Sequence, residues 1–280
     1  MKARRFGVIG DPVAHSRSPA LHAAAYRALG LPHRYEAVRV TAQELPAVVA
    51  QLRRGDFDGL NITVPHKESI LRLVDAPDDV VLAVGAANTL VRRDDGCIAA
   101  HNTDAPALAA ELRRIAGTTL PCGDVRALVL GSGGAARAAV AALATLGVRD
   151  IAVRARAFSN DDAARAFVES LPCAVTTQVW EPSPESELRT QVLVQATSAG
   201  MHGADPGEAV AAAVAWDAVP PEALAIDVVY APRDTPWLRA ARRRGLRSDG
   251  GLGMLARQGA LAFELWLGID APLEAMRAAL

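Results

Sequence analysis

The chain is predicted to be an α/β protein of two units whose strands pair mostly in parallel. Three observations predict this. Through the first hundred residues, short β-branched runs alternate with longer Ala/Leu-rich helical patterns, and strands separated by helices of ten or more residues imply crossovers rather than hairpins. Near Asp124 the alternation restarts with a strand, a glycine loop and a helix in immediate succession. The length, 280 residues, exceeds one ordinary domain and suits two of about 100–150 each.

In chain order, Phe6-Gly7-Val8-Ile9 reads as a strand ending in the turn Gly10-Asp11-Pro12. After Ser18-Pro19, the positions Leu21, Ala24, Ala25, Ala28 and Leu29 recur at helical spacing until Gly30. Tyr35 to Val40 alternates as a strand, and a helix runs from Thr41 or Ala42 to Arg54-Gly55. Gly59 to Val64 is a strand stopped by Pro65, and Val84 to Val91 holds another. In the second unit, Val125 to Leu130 is a strand, Gly131 to Ala136 the loop, and Arg137–Leu146 the helix. Ile151 to Val153, Val192 to Gln195 and Leu224 to Val229 supply later strands. The last helix, Met254 to Leu267, carries the apolar stripe Leu255, Ala262, Phe263 and Trp266. Arg239 to Arg244 reads as the solvated face of a helix.

Composition narrows the function classes. Thirty Lys+Arg against 31 Asp+Glu give a net charge of -1, so nothing points to nucleic acid or an anionic membrane surface. Hydrophobic residues at 51% allow a sizeable core, while no charge-free apolar run approaches the ~18 residues of a membrane span. Met1 to Arg5 lead too soon into Phe6 to Gly10 for a signal h-region. Cys97, Cys122 and Cys173 lack metal or redox spacing and fit a reducing cytoplasm. Only two of the basic residues are lysine, Lys2 and Lys67. Lys67 therefore stands out in a chain that writes arginine almost everywhere else.

Gly131-Ser132-Gly133-Gly134-Ala135-Ala136, set between strand and helix, is the arrangement of a dinucleotide loop in a doubly wound, Rossmann-like domain. Gly131 allows the tight turn, Gly133 lets backbone N–H groups approach a pyrophosphate, and Ala136 lets the helix pack closely on the strand. A glycine-rich turn without a ligand is the alternative. About 20 residues beyond such a loop, an acid reads the ribose hydroxyls of NAD, whereas arginine reads the 2′-phosphate of NADP. Arg154 and Arg156 stand at that spot, with no carboxylate before Asp161, which points to NADP. Solvated arginines are the alternative there.

Polar residues concentrate in four fragments after strands, where open α/β sheets bind ligands. They are Gly10 to Pro19 with Ser16 and Ser18, Asn61 to Lys67 with Thr63, Gly85 to Thr89 with Asn88, and Asn102 to Asp104. Together they suit a small polyhydroxylated acid. Singly, Ser16 and Ser18 read equally as helix caps, Asn88 as a turn residue, Asp104 as an N-cap, and Lys67 as a projection from a helix start.

The ordered set of motifs resembles the shikimate dehydrogenase family from near residue 5 to near residue 270. Gly10 to Pro19, Asn61 to Lys67, Gly85 to Thr89, Asn102 to Asp104, Ala196 to Met201, Asp227 to Pro232 with Thr235-Pro236, and Gly251 to Gln258 each match a family motif. The resemblance implies reversible hydride transfer between NADPH and 3-dehydroshikimate, giving shikimate in aromatic amino acid biosynthesis, with no metal. It implies that Lys67, paired with Asp104, gives and takes the proton on the reacting oxygen. A guanidinium, with pKa above ~12, could not readily do so. It further implies Ser16 and Ser18 on the substrate carboxylate, and Asn61, Thr63, Asn88, Asp104 and Gln258 on its hydroxyls, with Tyr230 at the edge. Gly131 to Ala136 and Arg156 would hold NADP, with Arg154 compensating for lost neighbours, and Thr197, Val228 and Gly251 along the cofactor.

The expected architecture is an N-terminal α/β substrate domain, residues 1–104 completed by 254–280, and an NADP-binding domain, 105–253, with the active site in the interdomain cleft. A cytoplasmic monomer or homodimer acting on a small molecule is implied. The Ser-x-Ser form leans towards shikimate over quinate. A sister enzyme using quinate or an amino analogue, and a non-catalytic sensor, are the rival readings. The intact Lys67 and Asp104 speak against the sensor. Where the family has Asn-Arg-Thr, this chain has Ala155-Arg156-Ala157, and Gln195 stands where it has Asn.

Overall fold

The computed structural model describes residues 2–117, 125–171, 173–201 and 203–280, so Cys122 and the restart at Asp124 lie outside the described residues. Two compact units emerge: Met1–Ala107 with Leu255–Leu280, and Leu108–Met254. Each division falls inside a helix, Asp104–Ala116 in the first case and Leu252–Leu267 in the second.

The first unit holds six strands, β1 (Arg5–Gly10), β2 (Arg34–Arg39), β3 (Gly59–Ile62), β4 (Ala76–Pro77), β5 (Thr89–Arg92) and β6 (Ile98–His101). Their spatial order is β2-β1-β3-β5-β6-β4. The strand β1 runs parallel to β2 and β3, but β5 runs antiparallel to both β3 and β6. With β4 parallel to β6, three of the five pairings are parallel, and the sheet is mixed only through β5. The cause is the short Asp94-Asp95-Gly96 connection between β5 and β6, closed by Arg93 N–H on Cys97 O at 2.9 Å. So short a link permits only a hairpin.

Ile9, Leu60, Ile62, Leu90 and Ile98 line one core with Leu45, Val48, Val49 and Leu52 of the helix Leu45–Arg54. That helix begins after Glu44, not at Thr41. Both the Thr41 N–H and hydroxyl donate to Glu44 Oε2 at 2.8 Å, which holds residues 41–44 as a turn.

An aromatic cluster fills another part of this unit. Trp266 stacks on Phe6 at 4.8 Å and donates its indole N–H to Leu90 O at 2.9 Å. His22 is fully buried, stacks on Tyr35 at 4.2 Å, and has no hydrogen-bond partner on either ring nitrogen among the described residues. Burial alone pushes its pKa from 6.5 down to about 3.

The second unit has β7 (Arg126–Leu130), β8 (Asp150–Arg154), β9 (Thr176–Gln178), β10 (Thr190–Gln195), β11 (Leu224–Asp227) and β12 (Arg247–Asp249). Every pairing is parallel, in the order β12-β11-β10-β7-β8-β9. Counted within the unit this is the doubly wound order 3-2-1-4-5-6 read in reverse. Leu128, Leu130, Leu193 and Ala225 pack against Trp237, Leu238 and Ala241 of the helix Pro236–Arg243. The arginines of that helix face outward, Arg239 and Arg242 both pairing with Asp234.

A buried ion pair ties one half of this sheet together. Arg154, at the end of β8, meets Glu187 at 2.6 Å with neither side chain exposed. The guanidinium also donates to Ala213 O at 2.6 Å and to Gln178 Oε1 from β9. Glu187 Oε1 in turn accepts the N–H groups of Ser183 and Ala215. Removing one partner of such a pair strands a charge without water, at a cost of about 3–5 kcal/mol.

Two stability measurements check these interactions. Glu187→Ala should lower the stability read by urea unfolding by about 3–5 kcal/mol; an unchanged midpoint would show that Arg154 reaches water without it. For His22, the unfolded ring takes a proton near 6.5 but the native ring only near 3. Its contribution is thus complete above pH 6.5 and is lost as pH falls towards 3. His22→Phe should flatten the decline in thermal midpoint between about pH 6.5 and 4, and an identical decline would discount His22.

Candidate active site

The reacting group suggested by the sequence lies where β3 ends. Thr63 N–H is held by Ile9 O and His66 N–H by Thr63 O, a tight turn that starts the Pro65-His66-Lys67 segment. His66, buried, donates from Nε2 to Val40 O at 2.6 Å. Lys67 O accepts the N–H of Ala87 at 2.8 Å. The lysine backbone is thereby fixed on both sides, and its Nζ meets Asp104 Oδ2 at 2.7 Å. The two side chains retain only 16% and 7% of their exposure, so little water screens the pair.

Asp104 does not cap its own helix. Asn102 Oδ1 accepts the N–H groups of both Asp104 and Ala105 at 3.1 Å. That leaves the Asp104 carboxylate to the lysine. Asn102 is itself held by donating to Ala86 O.

Asn61 and Asn88 belong to one buried network beside this pair. Tyr35 donates to Asn61 Oδ1 at 2.7 Å, and Asn61 Nδ2 donates to Asn88 O and Thr89 Oγ1. Asn88 Oδ1 accepts from Thr103 N–H at 2.7 Å, while its Nδ2 donates to Thr103 Oγ1 at 2.9 Å. An amide carries two N–H donors. Those of Asn61 are both engaged, so Asn61 offers a ligand only a lone pair, whereas Asn88 keeps one donor. Thr63 remains half-buried at the strand end.

Ser18 begins the helix Ser18–Ala28, whose cap residue makes no capping side-chain hydrogen bond. Ser16 Oγ accepts the Ser18 N–H, the first of that helix, at 3.3 Å, so Ser16 partly takes the capping role that is its alternative reading. A helix N-terminus beside two hydroxyls favours an anion. Gln258, in the same unit, is nearly buried and donates to Leu255 O at 3.0 Å.

In the second unit, Gly131 has φ +116° and accepts no side chain, because a Cβ would press on Ala196 O and Thr197 Cγ2 at 3.1 Å. Gly133 differs: a Cβ there would meet nothing within 4 Å. Its smallness serves no packing among the described residues and leaves room beside the N-terminus of Gly134–Thr145, whose cap residue makes no side-chain hydrogen bond. Ser132 is half-buried, Gly134 and Ala135 line the same turn half-buried, and Ala136 is fully buried against the sheet. This open, uncapped terminus fits a pyrophosphate.

Of the two arginines beyond the loop, Arg154 must be reassigned. Its buried guanidinium is committed to Glu187, Gln178 and Ala213 O, so it does not compensate at the adenosine side. Arg156 is exposed and pairs with Asp205 at 3.0 Å.

Thr197, Val228 and Gly251 fall around one buried carboxylate, Asp227. Asp227 accepts from the Thr235 hydroxyl at 2.6 Å, Val229 N–H at 2.9 Å and Gln195 Nε2 at 3.3 Å. Burial pushes its pKa up to about 6, opposed in part by the first two of these bonds. Gln195 also accepts Thr197 N–H and donates to Ala199 O, which gives the Gln-for-Asn exchange a role in shaping the Thr197–Ala199 turn. Gly251 is held to glycine by Val228 O, which lies against the place where a Cβ would stand. Tyr230 is half-buried after β11. His66, Asn102, Thr103 and Asp227 lie inside the family motifs but without an expected role of their own. His66 and Asn102 bond backbone groups, and Thr103 bonds the Asn88 side chain. Asp227 bonds Thr235, Gln195 and Val229 N–H, and all of these are partners that only the fold brings near.

Among the described residues no group of His, Cys, Asp or Glu is placed to hold a metal ion, and no helix is long and apolar enough to cross a membrane. Comparison with known proteins matches residues 8–90 to the shikimate dehydrogenase substrate binding domain and 251–280 to the shikimate 5′-dehydrogenase C-terminal domain. A shikimate dehydrogenase (NADP(+)) of Methylobacterium radiotolerans is 41% identical over 263 residues, covering 93% of this chain and 90% of the relative. The solved structure of shikimate 5-dehydrogenase from Thermus thermophilus, in complex with NADP(H) and shikimate, is 38% identical with TM-score 0.83, covering 99% and 98% of the two chains. Quinate dehydrogenase from Corynebacterium glutamicum, in complex with NAD, is 27% identical with TM-score 0.86 and 99% coverage of each. With its motifs in family order and this identity sustained over nearly its whole length, the chain belongs to the shikimate dehydrogenase family.

Proposed function

We propose that the chain is an NADP-dependent oxidoreductase interconverting 3-dehydroshikimate and shikimate. The observation that carries this is the Lys67 Nζ–Asp104 Oδ2 contact of 2.7 Å, an ammonium positioned beside a network of amides and hydroxyls. Bound NADPH supplies the hydride to the carbonyl carbon. As charge grows on the ketone oxygen, the Lys67 ammonium hydrogen-bonds it and then transfers a proton, leaving a neutral amine. In the reverse direction that amine takes the hydroxyl proton. Asp104 aims the lysine and accepts a substrate hydroxyl with its second oxygen. The free Asn88 donor and the Asn61 lone pair select further hydroxyls, with Thr63 and Gln258. Ser16, Ser18 and the helix N-terminus receive the carboxylate. Residues 1–104 with 254–280 act as the substrate domain in this reading. Residues 105–253 hold NADP through Gly131 to Ala136 and Arg156, with Thr197, Val228 and Gly251 alongside and Tyr230 at the substrate edge.

We extend the reading to a cytoplasmic enzyme of aromatic amino acid biosynthesis, working as a monomer or homodimer. The half-buried free thiols Cys97 and Cys173 fit a reducing compartment. A second reading, quinate as substrate, draws support from the likeness to the quinate dehydrogenase structure.

Two experiments test the function. Purified protein should reduce nicotinamide fastest with shikimate and NADP, when shikimate and quinate are each assayed with NADP and NAD. Faster turnover of quinate would replace the substrate assignment, and no turnover in any combination would remove the enzymatic reading. Lys67→Ala should lower kcat by about 10²–10⁴-fold while leaving the dissociation constant for NADPH nearly unchanged. Lys67→Arg should not restore the rate, because a guanidinium keeps its proton. Wild-type turnover by either variant would take the lysine out of the reaction.

A further inference from the structure

The strand end that reads the adenosine ribose in doubly wound domains is here unusually bare. Arg154 is turned into the interior, and Ala155 and Ala157 offer no polar side chain. The Arg156 guanidinium stands there with a single partner among the described residues, the carboxylate of Asp205, at 3.0 Å. Asp205 does not come from β8. It arrives on the segment that follows β10, where Asp205 O accepts Gly200 N–H at 2.8 Å and Ala204 N–H is held by Met201 O. Thr197 and Ala199, at the base of that segment, are shaped by Gln195. The carboxylate is thus carried to Arg156 by a backbone with its own hydrogen bonds. Both side chains keep most of their exposure, 68% and 60%, so the pair can open for a ligand.

We propose that Asp205 sets the cofactor discrimination of this enzyme by sharing Arg156 with the ligand. The inference rests on the reading that Arg156 faces the adenosine ribose of NADP. A 2′-phosphate must take Arg156 from Asp205 and then lie near a second negative charge, so the carboxylate weakens NADPH binding. An unphosphorylated ribose presents two hydroxyl donors instead, and Asp205 is an acceptor for them. It supplies from another loop the acid that the end of β8 lacks. The Arg156–Asp205 pair therefore narrows the gap between NADPH and NADH that Arg156 alone would open.

The test is a fluorescence titration of the full chain with NADPH and with NADH, for wild type, Asp205→Ala, Asp205→Asn and Arg156→Ala. Both Asp205 variants should bind NADPH about two- to fivefold more tightly, the range of an exposed ion pair. They should bind NADH no better than wild type, and the NADPH gain should shrink at high salt. An unchanged ratio of the two dissociation constants in both variants would overturn the proposal, provided Arg156→Ala weakens NADPH selectively. If Arg156→Ala leaves NADPH binding intact, the placement of Arg156 at the ribose fails, and the role of Asp205 falls with it.

Discussion

A single charged hydrogen bond, Lys67 to Asp104, organises the polar cluster of the first unit. It joins a loop after β3 to the start of a helix far along the chain, and neither residue could be moved without dismantling its surroundings. Lys67 is fixed through His66 on one side and Ala87 on the other. Asp104 is released for the pair because Asn102 takes over the capping of its helix. The buried amides then serve a structural purpose as well as a selective one. Each uses most of its hydrogen-bonding capacity on neighbouring loops, which holds the remaining donors and acceptors in place before any ligand arrives.

The second unit shows a different constraint, at its glycines. Gly133 leaves space that no atom of the described residues requires, while Gly131 and Gly251 are glycines because other backbone comes too close. Glycines alike in sequence thus answer to opposite constraints. Behind them Asp227 joins the ends of β10 and β11 through Gln195, Thr235 and Val229. Burying such a carboxylate is unfavourable, and three donors offset much of that cost.

The long periodic segments were legible from residue pattern. The glycine loop, the helix after Ser18-Pro19 and the last apolar helix all lie within a few residues of their expected places. Less visible were the short polar strands β9 and β12, whose residues pair at sheet edges without an apolar run to announce them. The antiparallel β5 and β6 could have been read from Asp94-Asp95-Gly96, a turn that the alternation of strands and helices concealed. Within the site, the residues expected to bear reactive groups carried family motifs, and the structure brings Lys67 and Asp104 together. Residues that orient them, such as His66 and Asn102, act on carbonyls and N–H groups whose positions only a folded backbone defines. Arg154 shows the limit most sharply. Its neighbour Arg156 has the same charge at nearly the same position, but Arg154 closes a strand with its side chain inward, while Arg156 lies beyond the strand end and stays outside.

That inward arginine constrains how the protein can diversify. A lineage that changed nucleotide preference by altering position 154 would lose the interior bracket joining β8, β9 and residues 187 and 213 before it gained a new ligand. Exposed positions lie just beyond, at Arg156, Ala157 and Asp205. Drift in coenzyme use should therefore be recorded in those outer positions, while the arginine and its glutamate partner change together or not at all.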